Sequence, residues 1–236
     1  PQVHAFDNLS LVETLAAQAA TVESARQFSG NLPLAVTPVT LKMRFNPNAT
    51  GPEPEPPPGE LPPQVDTRQM SLFGAGWTAG SLKYLAASDV HSLTYYETTG
   101  WRGVMETEAG SPLPDKFPSL PGAVFPLYHV LADVGDFAGG EVLPTQSSHP
   151  LQVEGLALRK DGRTRLILAN LSAELQQVMV SNLPAQVRVR LLDETNVVAA
   201  MQAPEEFRRQ AGDLQPSPAG TLQLQLRPYA VARIDA

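Results

Sequence analysis

The feature that most constrains this chain is a change of rhythm at Gly140. Before it, short β-branched segments alternate with longer stretches whose apolar residues recur at helical spacing; after it, short segments of period-two alternation follow one another between turn signals. Strands separated by helices pair in parallel through right-handed crossovers. Successive short alternating strands build an antiparallel sandwich instead. The rhythm therefore predicts two parts: an α/β part over residues 1–139 and an all-β sandwich over residues 140–236.

In the first part, Gln2–Asp7 alternates like a strand and leads into a helix that Gly30 is placed to end. Ser10 and Glu13 have capping-box spacing, and Leu11, Leu15, Val22 and Phe28 supply an apolar stripe. Leu34–Phe45 reads as the next strand, with Pro38 forcing a kink, bulge or split because it cannot donate to a ladder. Eight of the 23 prolines fall between Pro47 and Pro63, so residues 46–66 read as a mobile or polyproline-like loop. A helix follows from Arg68 through Ala87, weakened by Gly74, Gly76 and Gly80. A strand over 90–97 and a helix over 125–137, with Pro126 in its first turn, complete the series. Three βα units cannot close a barrel, which needs eight strands and about 250 residues. The expectation is the C-terminal part of a (β/α)8 TIM barrel, with the N-terminal half missing.

In the second part, Leu151–Lys160, Arg163–Asn170, Leu175–Ser181, Val187–Asp193, Val197–Gln202, Thr221–Arg227 and Tyr229–Ile234 are strand candidates. Asp161-Gly162 is a hairpin turn between the first two. Residues 204–218, polar and proline-rich, read as a loop.

With 24 acidic against 17 basic residues and no basic patch, the composition argues against nucleic acid as a partner. No apolar run approaches the roughly 18 residues of a membrane span, and no signal-peptide pattern opens the chain. The absence of cysteine agrees with a cytoplasmic protein. Four histidines without metal-ligand spacing predict no metal, and nothing calls for a cofactor. Asn48-Ala-Thr50 and Asn170-Leu-Ser172 match the glycosylation pattern.

The chemistry gathers at predicted strand ends, where barrels build their sites. The 90–97 strand delivers Glu97 into a turn that carries Trp101 and Arg102. Arg44 and Asn46 close the preceding strand, and His4 and Asp7 lie at the C-terminal end of the first. Glu97 and His4 are the acid–base candidates. Asp7, Arg44, Asn46, Arg68, Tyr96, Trp101 and Arg102 are candidates for gripping a polar substrate, the arginines because their forks are bidentate. Simple alternation points Tyr95 and Tyr96 in opposite directions. Trp77, His129 and the helical pair Asp133 and Asp136 read as core, structural and solvated respectively.

Phe125–Asp133 resembles the final barrel helix of many glycoside hydrolases. That resemblance makes Val3–Asp7 the sixth strand, Leu34–Phe45 the seventh and Leu93–Glu97 the eighth. The blocks PQVHAFDN, RFNPN from Arg44, RQMSLFGAGW and TYYETTGWRG together resemble the D-apionate lactonase family over most of residues 1–137. The resemblance implies a hydrolase that opens a branched sugar-acid lactone, a small-molecule partner, and no cofactor. A retaining glycosidase would need a carboxylate on the seventh strand about 5 Å from a second one, and LAVTPVTL over 34–41 has none. Two alternatives stand beside the lactonase: a glycoside hydrolase with Glu97 as nucleophile if the strand count is off by one, and a non-catalytic carbohydrate-binding or structural module. An open parallel edge would invite either a homo-oligomer or the missing barrel half to cover it.

Overall fold

The computed structural model describes residues 6–44, 50–51 and 55–236. Helix α1, Asn8–Ser29, is capped by Asp7, whose carboxylate accepts from the Ser10 N–H at 3.0 Å and the Ser10 hydroxyl at 2.6 Å. The cap thus lies three residues ahead of the expected one, because Asp7 offers two acceptor oxygens to the free N–H groups of the first turn. Leu11, Val12, Leu15 and Val22 are buried, while Phe28 is 90% exposed, so the apolar stripe stops short of the last turn. Most of the expected first strand lies outside the described residues.

Strand β1, Ala35–Val39, pairs in parallel with β2, Ser92–Tyr95, in the register Ala35↔Ser92 and Val36↔Leu93. The register shifts between Val36 and Val39, at the N–H that Pro38 lacks. A 3₁₀ turn, Thr67–Met70, and helix α2, Leu72–Ala86, lie between the two strands in sequence. Eleven of the fifteen α2 residues are buried. Glycines that weaken a helix on its own are here points of close approach. A Cβ on Gly74 would meet the Arg68 carbonyl oxygen at 2.5 Å, and one on Gly80 would meet Leu15 at 2.7 Å. Gly76 faces Asn170 and Leu171 of the β part. Trp77 is fully buried and donates its indole N–H to the Leu11 carbonyl at 3.0 Å.

Two three-residue strands follow: β3, Glu97–Thr99, and β4, Gly103–Met105. Helix α3, Pro126–Gly135, then leads into the second part, with proline in its first turn. That part contains β5 (Glu141–Leu143), β6 (Val153–Lys160), β7 (Arg163–Asn170), β8 (Gln176–Val180) and β9 (Gln186–Leu192). Helices α4 (Val197–Gln202) and α5 (Pro204–Arg209) come next, then β10 (Asp213–Pro216), β11 (Leu222–Leu226) and β12 (Val231–Asp235). One antiparallel sheet runs β10-β9-β12-β7-β6-β5, and β11 pairs with β8 in a second, two-stranded sheet. Asp161 and Gly162 both take positive φ, 51° and 75°, as the hairpin requires.

Two expectations fail here. Val197–Gln202 is a helix: after two valines, Ala-Ala-Met-Gln favours helix, and Asp193 and Asn196 fold a turn ahead of it. Residues 204–218 contain α5 and β10. Pro204, Glu205 and Glu206 open α5 and Arg208 and Arg209 close it, an order that complements the helix dipole. Asn170 is buried and its amide donates to the Glu174, Leu226 and Arg227 carbonyls, so that sequon is closed to a glycan. Asn48 lies outside the described residues.

Both faces of the large sheet are covered. Leu168, Val187, Val189, Ala232 and Ile234 pack against Val180, Leu222 and Leu226 of the small sheet. Leu156, Leu158, Ile167 and Ala169 join Trp77, Leu127 and Val130 in the larger core. Asp133, expected to be solvated, is buried on α3 opposite this second face. Its carboxylate takes two bonds from Arg190, at 2.6 and 2.9 Å, and one from Arg233 at 3.3 Å. Burying this carboxylate without such partners would cost several kcal/mol.

His129, one turn before Asp133, is 2% exposed and donates Nε2–H to the Ala200 carbonyl at 3.0 Å. Burial holds its pKa down to about 4, from 6.5. An unfolded chain therefore takes up a proton that the folded ring refuses. The stabilisation is complete above pH 6.5 and is lost as pH falls toward 4. This residue should remove up to about 2 kcal/mol of stability between pH 6.5 and about pH 5. Urea unfolding at both pH values checks it: His129→Gln should flatten the dependence, and an unchanged slope would contradict the assignment.

Candidate active site at the ends of the parallel strands

Glu97 begins β3, one residue beyond β2, and two guanidiniums hold its Oε1. Arg44 Nη2 approaches at 2.5 Å and Arg102 Nη2 at 3.0 Å. Arg44 follows β1, so parallel pairing of β1 with β2 brings the two strand ends together. Arg102 arrives by a local device. The Glu97 N–H donates to the Arg102 carbonyl at 2.9 Å, and β3 pairs with β4 in parallel as Glu97↔Gly103. All three side chains remain partly exposed, between 29% and 39%. Each guanidinium therefore keeps donors for a ligand.

The segment before Glu97 departs from simple alternation. Tyr96 has φ of 56°, which breaks the strand between β2 and β3. As a result Tyr95 and Tyr96 both reach α2 rather than opposite faces. The Tyr95 hydroxyl lies 2.8 Å from Ser81 Oγ and that of Tyr96 2.7 Å from Thr78 Oγ1, one helical turn apart. Ser81 spends its proton on Gln18 and Thr78 spends its own on the Gly74 carbonyl, so each tyrosine must be the donor. Burial pushes both phenols well above their ordinary pKa. Tyr96, expected to touch substrate, is instead a buried anchor for the turn that presents Glu97.

The other candidates separate. Arg68 lies in the 3₁₀ turn and is spent on Asp66, through Nε at 2.9 Å and Nη2 at 2.7 Å, and on Asn8 Oδ1 at 2.8 Å. Asn8 in turn donates to the Tyr229 hydroxyl at 2.8 Å. Desolvation raises the pKa of Asp66, but the bonds and charge of Arg68 outweigh it and hold the carboxyl below its usual range. Asp66 was not anticipated; an aspartate just ahead of a helix start, two residues before an arginine, was the available signal. Asp7 gives its oxygens to Ser10 as the α1 cap, and those bonds lower its pKa. Trp101 is half-buried, donating to Ser111 Oγ at 2.8 Å with its ring tilted 6.5 Å from Phe117. His4 and Asn46 lie outside the described residues. An apolar groove of about 440 Å³ between α1 and β1 has Arg44 at its rim, but Glu97 does not line it. The convergent polar groups are at Glu97, which makes it the candidate site. Among the described residues no three His, Asp or Glu side chains gather as metal ligands would.

The architecture defines a class, that of proteins joining a TIM-barrel-like part to an immunoglobulin-like β part. The chain is similar to a bifunctional glucanase-xylanase from a metagenome library, with a TM-score of 0.58 and 12% identity over 92% of this chain and 33% of the other. It is also similar to a family 39 β-xylosidase from Caulobacter crescentus, with a TM-score of 0.54 and 15% identity over 92% and 48%. At such identities the likeness is one of fold. Residues 1–139 match the model of the D-apionate lactonase TIM barrel domain, and residues 150–234 that of the D-apionate lactonase C-terminal immunoglobulin-like domain. The chain belongs to the D-apionate lactonase family. A D-apionate lactonase of Brucella anthropi is 27% identical over 183 residues, which make up 77% of this chain but 28% of that relative.

The tyrosine anchors give an asymmetric prediction. Thr78→Val leaves the buried Tyr96 hydroxyl without an acceptor and should cost about 1–3 kcal/mol, whereas Tyr96→Phe removes the donor and should cost about 1 kcal/mol or less. Chemical denaturation of both variants checks the order. A larger loss from Tyr96→Phe would show that the hydroxyl does not donate to Thr78.

Proposed function

We propose that this chain carries part of the active site of a carbohydrate-directed hydrolase that opens a sugar-acid lactone, with Glu97 as its acid–base residue. The observation that supports the reading is the carboxylate held by two partly exposed arginines at the ends of parallel strands. Family membership supports it as well. In this mechanism a water attacks the lactone carbonyl and gives a proton to Glu97. Spare N–H groups of Arg44 and Arg102 meet the charge that develops on the carbonyl oxygen. The C–O bond of the ring then breaks, Glu97 returns the proton to the departing alkoxide, and the new carboxyl group releases water's second proton to solvent, leaving a hydroxy acid with its carboxylate beside two guanidiniums.

A glycosidase with Glu97 as nucleophile is less well supported. That mechanism needs a second carboxylate about 5 Å away, and among the described residues the partners of Glu97 are both arginines. Furthermore, α3 is the only long helix between Glu97 and the sandwich among the described residues, which agrees with a last-strand position rather than the next to last.

Glu97→Gln, made in the longest gene product that carries this chain, should lower lactone hydrolysis by at least ~100-fold. Hydrolysis is followed by acid release from aldonolactones, with aryl glycosides assayed in parallel. Lactone turnover unaffected by the substitution would remove Glu97 from the mechanism. Aryl-glycoside turnover that depends on Glu97 would favour the glycosidase, and sugar binding with no turnover of either substrate the non-catalytic module.

A further inference from the structure

The 3₁₀ turn Thr67–Met70 sends one buried polar side chain toward the Glu97 site. Gln69 is 3% exposed, and its amide donates through Nε2 to the Gly103 carbonyl at 2.8 Å. Gly103 is itself buried, follows Arg102 and stands opposite Glu97 in the β3–β4 register. The turn between those strands has little slack. The Glu97 N–H donates to the Arg102 carbonyl at 2.9 Å, the Gly103 N–H to the Gly100 carbonyl at 2.8 Å and the Gly100 N–H to the Met105 carbonyl at 2.9 Å. A Cβ on Gly103 would meet the Thr99 backbone at 2.6 Å. The base from which Gln69 reaches is equally fixed. Its neighbour Arg68 is bonded to Asp66 and Asn8, the Ser71 hydroxyl donates to the Arg68 carbonyl at 2.8 Å, and α2 starts against that same carbonyl through Gly74.

We infer that Gln69 is a positioning residue of the Glu97 site: through the Gly103 carbonyl, its amide fixes the backbone from which Arg102 reaches Glu97. A buried carbonyl needs a donor, and a turn deprived of the Gln69 N–H shifts to find another. The Arg102 side chain is 37% exposed and meets Glu97 at 3.0 Å, so packing does little to hold it and the backbone beneath decides where it points. Arg44 arrives from the β1 side, so Gln69 governs one guanidinium of the two. For catalysis the inference rests on the lactonase reading. A guanidinium misplaced by about 1 Å no longer meets the charge that develops on the carbonyl oxygen, while a substrate gripped by the rest of the pocket still binds.

Two variants test it. Gln69→Met keeps the side-chain length and removes the N–H, and Gln69→Asn keeps an amide that falls a methylene short. Both are made in the longest gene product that carries this chain, alone and combined with Arg102→Gln or Arg44→Gln. Each alone should lower kcat for an aldonolactone by about 10-fold and leave KM within about 2-fold. With Arg102 already replaced, the same substitution should change kcat by less than about 2-fold, whereas with Arg44 replaced the full loss should remain. A glutamine that serves stability alone would give one loss in all three backgrounds, and that result would overturn the inference. Crystal structures of the variants supply a readout that needs no turnover. The contact between Arg102 and Glu97 should open beyond about 4 Å with Arg44 still in place, and an intact contact would overturn the inference. A wild-type protein that opens no lactone would overturn the hydrolase reading, and the variant structures would then decide the positioning role by themselves.

Discussion

Helix α2 has almost no solvent face, and that constraint organises the molecule. It touches α1 through Gly80 and Leu15, the 3₁₀ turn through Gly74, and the β part through Gly76. The first two contacts are closer than a side chain at that position would allow, and the third is at ordinary packing distance. The same helix offers Thr78 and Ser81 to the two tyrosines that lead into Glu97. The carboxylate is therefore positioned from beneath by a largely buried element and from the side by Arg44 and Arg102, while remaining partly exposed itself. Rigid support under an accessible group is what a site needs if its geometry is to survive thermal motion.

The two parts of the chain are joined by unlike means. Near α2 the contact is apolar, with Ile167, Ala169 and Leu171 against the helix core. At its edge Glu154 binds Lys83 at 3.0 Å and the Tyr84 hydroxyl at 2.7 Å. Near α3 the contact is ionic, built on Asp133 and Asp136 facing Arg165, Arg190 and Arg208. Buried pairs of this kind add little net stability over an apolar substitute, but breaking one side leaves a stranded charge. Such an interface tolerates few alternative dockings of the two parts.

Much of this was legible because it depends on local chemistry. Asp161-Gly162 announces its hairpin through residues that accept positive φ, and Pro126 its helix through a missing N–H. The shift from helical to period-two spacing at Gly140 conveys the change of architecture. What failed depended on context. Nothing near Tyr96 reveals that its φ is positive, so alternation misdirected one ring. Asp133 looks like a surface carboxylate until four arginines distant in sequence surround it. Arg68, expected to grip a substrate, is diverted by Asp66 and Asn8. Of the proposed site, Glu97, Arg44 and Arg102 were each legible as polar residues near predicted strand ends, but their convergence on one carboxylate oxygen depends on the parallel pairing of β1 with β2 and of β3 with β4.

A crystal structure of the protein with an aldonate bound would test this account most directly. The account predicts the ligand carboxylate within hydrogen-bonding distance of both the Arg44 and Arg102 guanidiniums, with Glu97 facing the carboxyl carbon. An aldonate seated at the opposite end of β1 and β2, or Arg44 turned away from Glu97 in the complex, would contradict it.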